Sequence, residues 1–345
     1  MNRTKCRMRF FAFTPENDAS DGFFAQLNKT KNAKYSTEYA IDISFHAFYT
    51  KSAELLEENM KVTLCAFADE AGSRLSEQIA ALKRNGIGMV ELRSVNGKNI
   101  ADFSEDEARQ ISKELEREGI QVWALGSPIG KVKVEDNFEA ECERLKRLMR
   151  IGKIFKTKRI RVFSFYCGDN PDGFAAEVTE RMRKMIKIAA EEGFSLYHEN
   201  EKEIFGDIAD RVLLLYRESE GLHMVFDPAN YVQCGQDMGQ AYREIYPLCD
   251  YFHIKDALYG SGEVVPSGKG DGEVRRLVSL LDKDTVFSVE PHLAIFDGYS
   301  ETSNSELKCR YVYKSNADAF DAAVSALKTI LAEQGYSENE GEWIK

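Results

Sequence analysis

From residue 60 onward, the sequence alternates between short strand-like runs and longer helix-like segments. Each run is rich in β-branched and aromatic side chains and is flanked by glycine, aspartate or asparagine. The eight runs lie at residues 62–67, 88–94, 121–126, 159–165, 194–199, 223–227, 251–256 and 285–290. Strands that alternate with helices pair in parallel, since each helix returns the chain to the same end of the sheet. Eight such units predict an α/β protein with a closed (β/α)8 TIM barrel.

An open doubly wound sheet is the main alternative to the barrel. Such a sheet should carry a glycine-rich phosphate-binding turn after an early strand, and the sequence has none there. The glycine-rich stretch at 268–272 follows the seventh run and is a loop, which is weak support for nucleotide binding. The helix signals fit the barrel: Ser104 and Glu107 form a predicted capping box at the start of one segment.

Residues 1–59 differ in character from the rest of the chain. They are polar, lack a clear hydrophobic period and precede Met60, which stands directly before the first run. We interpret residues 1–59 as an N-terminal extension that is disordered or lies upstream of the native translation start. A short N-terminal subdomain is the alternative. The barrel is then assigned to residues 60–335, and residues 336–345 form a C-terminal tail.

Four successive predicted strands, the fifth to the eighth, deliver side chains that can bind a metal. The fifth ends at Glu199, the sixth at Asp227 and the eighth at Glu290, while the seventh carries His253. In a barrel these strand ends converge on one face, and the alternation of side chains turns the acids toward its mouth. One carboxylate at a strand end is usually a loop cap, but four such groups on neighbouring strands favour a shared site.

Three carboxylates that converge on one point repel each other unless a cation lies between them. Oxygen ligands with one imidazole suit Mn²⁺ or Mg²⁺ best, and they also accept Zn²⁺, Co²⁺ or Fe²⁺. The sequence therefore predicts a divalent metal site formed by Glu199, Asp227, His253 and Glu290.

Further polar side chains near the strand ends are candidates for binding a substrate. Lys255 lies two residues after His253 and so faces the same side, where it would bind a substrate oxygen or phosphate or pair with a nearby carboxylate. His198 has the opposite orientation to its neighbour, which favours a supporting role over ligation. Lys131 follows the third strand and is a candidate contact for an anionic group. The full candidate set is Lys255, Arg93, Glu91, His198, His292 and Lys131.

Four short motifs together resemble one known group of proteins. They are HEN at 198–200, FDPAN at 226–230, HIKD at 253–256 and EPH at 290–292. In this order they resemble the sugar phosphate isomerase/epimerase superfamily, the xylose isomerase-like TIM barrels, which include the AP endonuclease family 2 domain. The resemblance covers roughly residues 60–333, and PSGKGDG at 266–272 resembles the loop that follows the seventh strand in this superfamily.

The resemblance implies a chemistry for the four strand-end residues. In the epimerase branch, Glu, Asp, His and Glu hold the metal, and these correspond to Glu199, Asp227, His253 and Glu290. The two glutamates there also act as the acid–base pair. The implied activity is that of a metal-dependent isomerase or epimerase, which removes a proton next to a carbonyl of a small sugar or sugar-derived substrate.

Three other functions remain as alternatives. A lyase or dehydratase that acts on a keto-sugar or inosose would use the same proton abstraction and then expel a leaving group. A non-catalytic sugar-binding protein would need the cationic side chains but not both glutamates. An AP endonuclease resembles this chain least, because those enzymes carry several additional histidines, whereas this chain has five in total.

The composition bears on partners and compartment. Lys and Arg number 46 against 57 Asp and Glu, a net charge of −11, which argues against a nucleic-acid partner. The absence of an 18-residue apolar run and of a signal-peptide hydrophobic region predicts no membrane association. Seven cysteines without a CxxC pair are typical of reduced thiols, so we expect a cytoplasmic protein. Barrels of this kind often pair, which leaves a homo-oligomer open.

Overall fold

The computed structural model describes residues 60–296, 307–339 and 341–345. Residues 1–59, interpreted above as an extension, lie outside the described residues. Within the described part of the chain, no helix combines the length and the apolar character that a membrane crossing requires.

Eight parallel strands form a closed barrel in which each strand pairs with its neighbours in sequence order. The last strand pairs with the first, with Val62 opposite Thr285 and Ala66 opposite Val289, which closes the cylinder. The strands are β1 (Lys61–Ala66), β2 (Met89–Leu92), β3 (Gln121–Gly126), β4 (Arg159–Val162), β5 (Ser195–Glu199), β6 (His223–Phe226), β7 (Cys249–Ile254) and β8 (Thr285–Val289). The structure confirms the predicted (β/α)8 barrel.

Helices follow the strands and cover the outside of the barrel. They are α1 (Leu75–Arg84), α2 (Glu105–Arg117), α3 (Phe138–Ile154), α4 (Ala175–Glu191), α5 (Ala209–Glu218), α6 (Pro228–Gln233), α7 (Met238–Glu244), α8 (Val274–Ser279) and α9 (Asn316–Glu333). The capping box at α2 is confirmed, since Glu107 N donates to Ser104 Oγ and Ser104 N donates to Glu107 Oε2. Helix α5 lacks the usual start signal in the sequence, because it begins after Ile208 without a side-chain cap.

Two apolar layers leave room for a polar site at one end of the barrel. A large layer lies between strands and helices, and a small one fills the barrel interior. The interior residues include Tyr197, Val225 and Tyr251. Each of these three stands two residues before a predicted metal ligand on the same strand, as the alternation of side chains requires. The interior is thus apolar toward the start of the strands and polar toward their carboxyl ends.

The C-terminal residues predicted as a tail form a β-hairpin. Its strands are β9 (Ser337–Asn339) and β10 (Glu342–Ile344), and β10 pairs antiparallel with β1. Met60 and Lys345 exchange two backbone hydrogen bonds, which extends the pairing to the chain end. Trp343 is buried in this arrangement. The hairpin therefore belongs to the barrel, where it covers the part of β1 that β2 does not reach.

The glycine-rich loop at 266–272 folds around one buried carboxylate. Asp256 accepts hydrogen bonds from the backbone N–H groups of Gly268, Gly270 and Gly272 at 2.8, 3.0 and 2.9 Å. A Cβ at Gly270 or Gly272 would collide with Asp256 Oδ1, whereas Gly268 is required by its positive φ of 81°. The loop is therefore a structural clamp on Asp256, which stands two residues after the end of β7.

We expect Gly270→Ala to destabilise this clamp. The added Cβ would collide with Asp256 Oδ1 and with Ala257 O, so the free energy of unfolding should fall by about 1–3 kcal/mol. Gly88→Ala is the matched control, since a Cβ there meets no atom within 4 Å. Denaturant unfolding of both variants checks the prediction, and equal stability of the two would contradict it.

Candidate metal centre and active site

The four predicted ligands come together at the carboxyl end of the barrel. Glu199, Asp227, His253 and Glu290 each offer one ligand atom, and these atoms all lie within 4.8 Å of one another. All four side chains are buried. These four residues therefore lie close together, as the sequence predicts. We refer to them below as the carboxylate cluster.

Two asparagines fix the orientation of Asp227. Asp227 caps α6, and its Oδ1 accepts from Asn230 N at 2.9 Å, which leaves Oδ2 directed at the cluster. The Asn200 side chain pairs with the Asp227 backbone through bonds of 2.8 and 2.9 Å. Asn230 Nδ2 in turn donates to Asn200 O at 2.9 Å and to Glu199 Oε1 at 3.3 Å. The ends of β5 and β6 are thus locked to each other.

A buried glutamate fixes the orientation of His253. Glu91 Oε2 lies 3.1 Å from His253 Nε2, and Glu91 Oε1 accepts from the Tyr251 hydroxyl at 3.1 Å. This contact makes Nε2 the donor nitrogen and turns Nδ1 toward the cluster, where it lies 3.0 Å from Glu199 Oε1. A carboxylate behind a histidine is the usual way in which proteins orient a metal-binding imidazole.

Three cations of the chain itself contact the carboxylate cluster. Arg161 Nη1 lies 2.6 Å from Glu199 Oε2, and Arg93 Nη1 lies 3.0 Å from Glu290 Oε1. Lys255 Nζ lies 2.8 Å from Glu290 Oε2 and 2.9 Å from Asp227 Oδ2. The salt bridge considered for Lys255 therefore forms, and it joins two of the predicted ligands.

The connected network around the cluster carries an excess of negative charge. Among the described residues it contains six buried carboxylates and three buried Arg or Lys cations, an excess of three carboxylates that His253 offsets only in part. The carboxylates are Asp69, Glu70, Glu91, Glu199, Asp227 and Glu290, and the cations are Arg93, Arg161 and Lys255. Isolated buried charge is costly, so this excess favours an additional cation.

The pKa values follow from this distribution of charge. Burial opposes the charged form of His253, but Glu199 and Glu91 outweigh it and hold the pKa of His253 well above its usual range. Burial also opposes the charged form of Glu199, yet His253 and Arg161 lower the pKa of that carboxyl. Burial raises the pKa of Asp227, and the negative charge of Glu290 raises it further. The positive charge of Lys255 opposes both effects but is outweighed, so the pKa of Asp227 is about 7.

The donor set fits a divalent cation. Asp227 Oδ2 and His253 Nδ1 are buried and form no well-angled hydrogen bond with any described residue, although Lys255 and Glu199 lie within 3.0 Å of them. Three carboxylates and one imidazole match the preferences of Mn²⁺ and Mg²⁺. A second group, Glu70, Glu290 and His292, is similarly compact, but Arg93 bonds both of its carboxylates and already supplies a cation there.

A cavity of about 500 Å³ opens above the cluster. Glu290 lines it, whereas Glu199 is not among its lining residues and lies deeper, 1% exposed. Four of the six substrate-binding candidates line the cavity, namely Lys255, Arg93, His292 and Lys131. His292 also contacts Glu70, with 3.1 Å between its Nδ1 and Glu70 Oε1.

The other two substrate-binding candidates, Glu91 and His198, do not line this cavity. Glu91 is fully buried behind His253, as described above. His198 Nε2 lies 2.9 Å from Ser164 Oγ, and burial lowers the pKa of His198 to about 4, so its ring is neutral. Both side chains are therefore placed to position other groups and not to touch a ligand in the cavity, which corrects their assignment as substrate contacts.

Several residues at the site were not found from the sequence. They are Asp69, Glu70, Arg161, Asn230, Glu201 and Lys202. A usable signal existed for Arg161, since an arginine inside a buried strand needs a partner. Asp69 and Glu70 follow β1 and so show the strand-end pattern that was used only for β5 to β8.

Known proteins share this fold and family. A family model described as xylose isomerase-like TIM barrel matches residues 79–305. No curated protein sequence is similar enough to this chain to count as a match.

Three solved structures illustrate the likeness of fold. The IOLI protein with a binding zinc atom superposes with a TM-score of 0.63 at 13% identity, covering 79% of this chain and 99% of that chain. D-psicose 3-epimerase in the presence of D-fructose gives 0.60 at 15% identity, with 79% and 99% covered. The probable 3-DHS dehydratase AsbF from Bacillus anthracis gives 0.60 at 16% identity, with 78% and 99% covered. Because the family match spans most of the barrel, the chain belongs to the xylose isomerase-like TIM barrel family.

Proposed function

We propose that this protein is a divalent-metal-dependent isomerase or epimerase that moves a proton on the carbon next to a carbonyl of a sugar or sugar-derived substrate. The observation that carries the proposal is the convergence of Glu199, Asp227, His253 and Glu290 next to a cavity that Glu290 lines. Two of their ligand atoms, Asp227 Oδ2 and His253 Nδ1, form no well-angled hydrogen bond with a described residue. Small-molecule sites are usually cavities of roughly 300–1,000 Å³, and the cavity here is of that size.

These four residues would hold the metal. The oxygen-rich donor set favours Mn²⁺ or Mg²⁺ over Zn²⁺, Co²⁺ or Fe²⁺. When bound, a divalent ion acts as a Lewis acid that polarises a carbonyl and stabilises the negative charge left by proton removal. Lys255 now contacts Asp227 and Glu290 and would release one or both of them to the ion.

The two glutamates differ in their access to a substrate, and this difference suggests their roles. Glu290 lines the cavity, so we assign it the first proton transfer with the substrate carbon. Glu199 lies deeper, between Arg161 and His253, and would serve the opposite side of the reacting carbon. Arg93 bonds Glu290 and holds its second oxygen in place.

The remaining candidates divide into two groups. Lys255, Arg93, His292 and Lys131 line the cavity and are proposed to bind substrate oxygens. Glu91 and His198 are proposed to act through their neighbours, Glu91 by orienting His253 and His198 by holding Ser164.

Solvent deuterium tests the proposal directly. When the metal-loaded protein is incubated with a panel of keto-sugars in D₂O, at least one sugar should gain deuterium at the carbon next to its carbonyl, which NMR detects. Deuterium in an isomer that has the formula of the substrate, apart from the exchanged hydrogen, identifies an isomerase or epimerase. Loss of water or of an aglycone from the product would instead assign a lyase. If no keto-sugar exchanges a proton while metal is bound, the proton-transfer proposal fails.

A further inference from the structure

The wall of the cavity is strongly cationic. Among the described residues, six Arg and Lys side chains line it, and only two carboxylates, Glu201 and Glu290, line it with them. The six are Arg93, Lys131, Arg161, Lys202, Lys255 and Lys308. The carboxylate cluster lies behind this positive wall and reaches the cavity through Glu290.

Three of the six cations are already matched by the cluster. Arg93, Arg161 and Lys255 are buried and pair with its carboxylates at 2.6–3.0 Å. Their positive charges therefore stabilise the ionised carboxylates of the cluster. The other lining cations are the loop lysines Lys131, Lys202 and Lys308, and the one further lining carboxylate among the described residues, Glu201, offsets their charge only in part.

Glu201 ties Lys131 and Lys202 into one unit. Its Oε2 lies 3.1 Å from Lys131 Nζ, and its Oε1 accepts from the backbone N of Lys202 at 2.9 Å. Lys131 Nζ also lies 4.3 Å from the centre of the Phe163 ring, which fixes the ammonium in place. The loops after β3 and β5 are joined in this way, and the Glu201 carboxylate pairs with one ammonium, that of Lys131, and with one backbone N–H.

Lys202 is the partly buried lining cation without an ion pair among the described residues, whereas the exposed Lys308 donates to Ser261 O at 3.4 Å. Within the described ranges the Lys202 ammonium also forms no hydrogen bond. Burial lowers the pKa of Lys202, and repulsion from Lys255 and Lys131 adds to this effect, although the negative charge of Glu201 opposes it. Holding a partly desolvated ammonium beside two others is unfavourable unless an anion is there to bind.

We propose that Lys202, with Lys131 beside it, forms an anion-binding subsite, so that the substrate is an acidic sugar derivative carrying a phosphate or a carboxylate. The reacting carbonyl end of such a substrate belongs at the carboxylate cluster, and its anionic group at the lysines of the wall. The assignment of the carbonyl end rests on the proposed function, whereas the anion subsite rests on the lysines alone.

Equilibrium binding to the full-length protein tests this subsite. The probes are D-fructose, D-fructose 6-phosphate and D-fructuronate, titrated by calorimetry with and without added Mg²⁺. The wild-type protein should bind at least one of the two anionic sugars about tenfold or more tighter than fructose, because the anion adds a charge-assisted hydrogen bond to the subsite. The anion that is preferred, phosphate or carboxylate, identifies the group that the subsite takes.

The variant Lys202→Met should lose most of this preference and bind fructose as the wild type does. Lys113→Met, a change of an exposed lysine on α2, is the matched control and should keep the preference. Equal binding of neutral and anionic sugars, no measurable binding of either anion, or an unchanged preference in Lys202→Met would overturn the subsite. This experiment measures binding and not turnover. The anion subsite can therefore be supported even if the deuterium experiment contradicts the proposed reaction.

Discussion

Glu290→Gln is expected to lower turnover by about 10²-fold or more, the usual contribution of a general acid–base group. The glutamine keeps the size of the side chain and one oxygen but cannot carry the proton. It should also stop the exchange of the substrate proton with D₂O, because Glu290 is the glutamate that lines the cavity. Metal binding should weaken but survive, since Glu199, Asp227 and His253 remain. Turnover, deuterium exchange and metal content are measured on the same preparations.

Glu199→Gln is expected to lower turnover by a similar factor but to separate the two halves of the reaction. Because Glu199 lies deeper, its variant should retain proton exchange while failing to form the isomeric product. Glu220→Gln, which makes the same change in an exposed turn, is the control and should leave turnover unaltered. Near wild-type turnover in both site variants with metal bound would show that the acid–base pair is misassigned and that the cluster is a structural ion site.

The barrel and its four convergent side chains could be predicted because both depend on short-range rules. The eight strands follow from local composition, and a strand period of two fixes which side chains share a face. Parallel strands in a barrel then bring their carboxyl ends together whatever the details of packing. This is why Glu199 and Asp227 could be assigned to one site from positions 28 residues apart in the sequence.

What the sequence could not supply was the partner of each side chain. Glu91 was predicted to bind substrate because it lies near the end of the second strand. Its contact with His253 depends instead on how β2 and β7 face each other across the barrel. The register between β2 and β3 also shifts after Val90, so that Trp123 is skipped. Such a shift depends on packing around the whole cylinder and leaves no local signal.

The same limit applies to residues that act through the backbone. Asn200 and Asn230 stood in the motifs that carried the resemblance, yet no role could be assigned to either. Each works through main-chain groups of the neighbouring strand end, namely Asp227 N and O for Asn200, and Asn200 O for Asn230. An amide that recognises main chain has no complementary side chain in the sequence, so only the folded structure reveals its function.

Glu91→Gln is expected to lower metal affinity by about 10- to 100-fold, the usual effect of losing the carboxylate behind a metal-binding histidine. The glutamine oxygen can still accept from His253 Nε2, but it no longer carries the charge that strengthens the imidazole as a ligand. Activity should therefore fall at limiting metal and recover when metal is added in excess. Calorimetric titration with Mn²⁺, together with turnover measured across a range of metal concentrations, checks this expectation.

Glu141→Gln provides a matched control for the loss of a buried carboxylate. Glu141 is 4% exposed and accepts from Gly130 N at 2.7 Å, away from the carboxylate cluster. Its variant should lose stability without a change in metal affinity. If Glu91 instead bound substrate, as its position at the end of β2 first indicated, Glu91→Gln would raise KM at every metal concentration and leave the metal titration unchanged. That result would show that Glu91 does not set the metal affinity through His253.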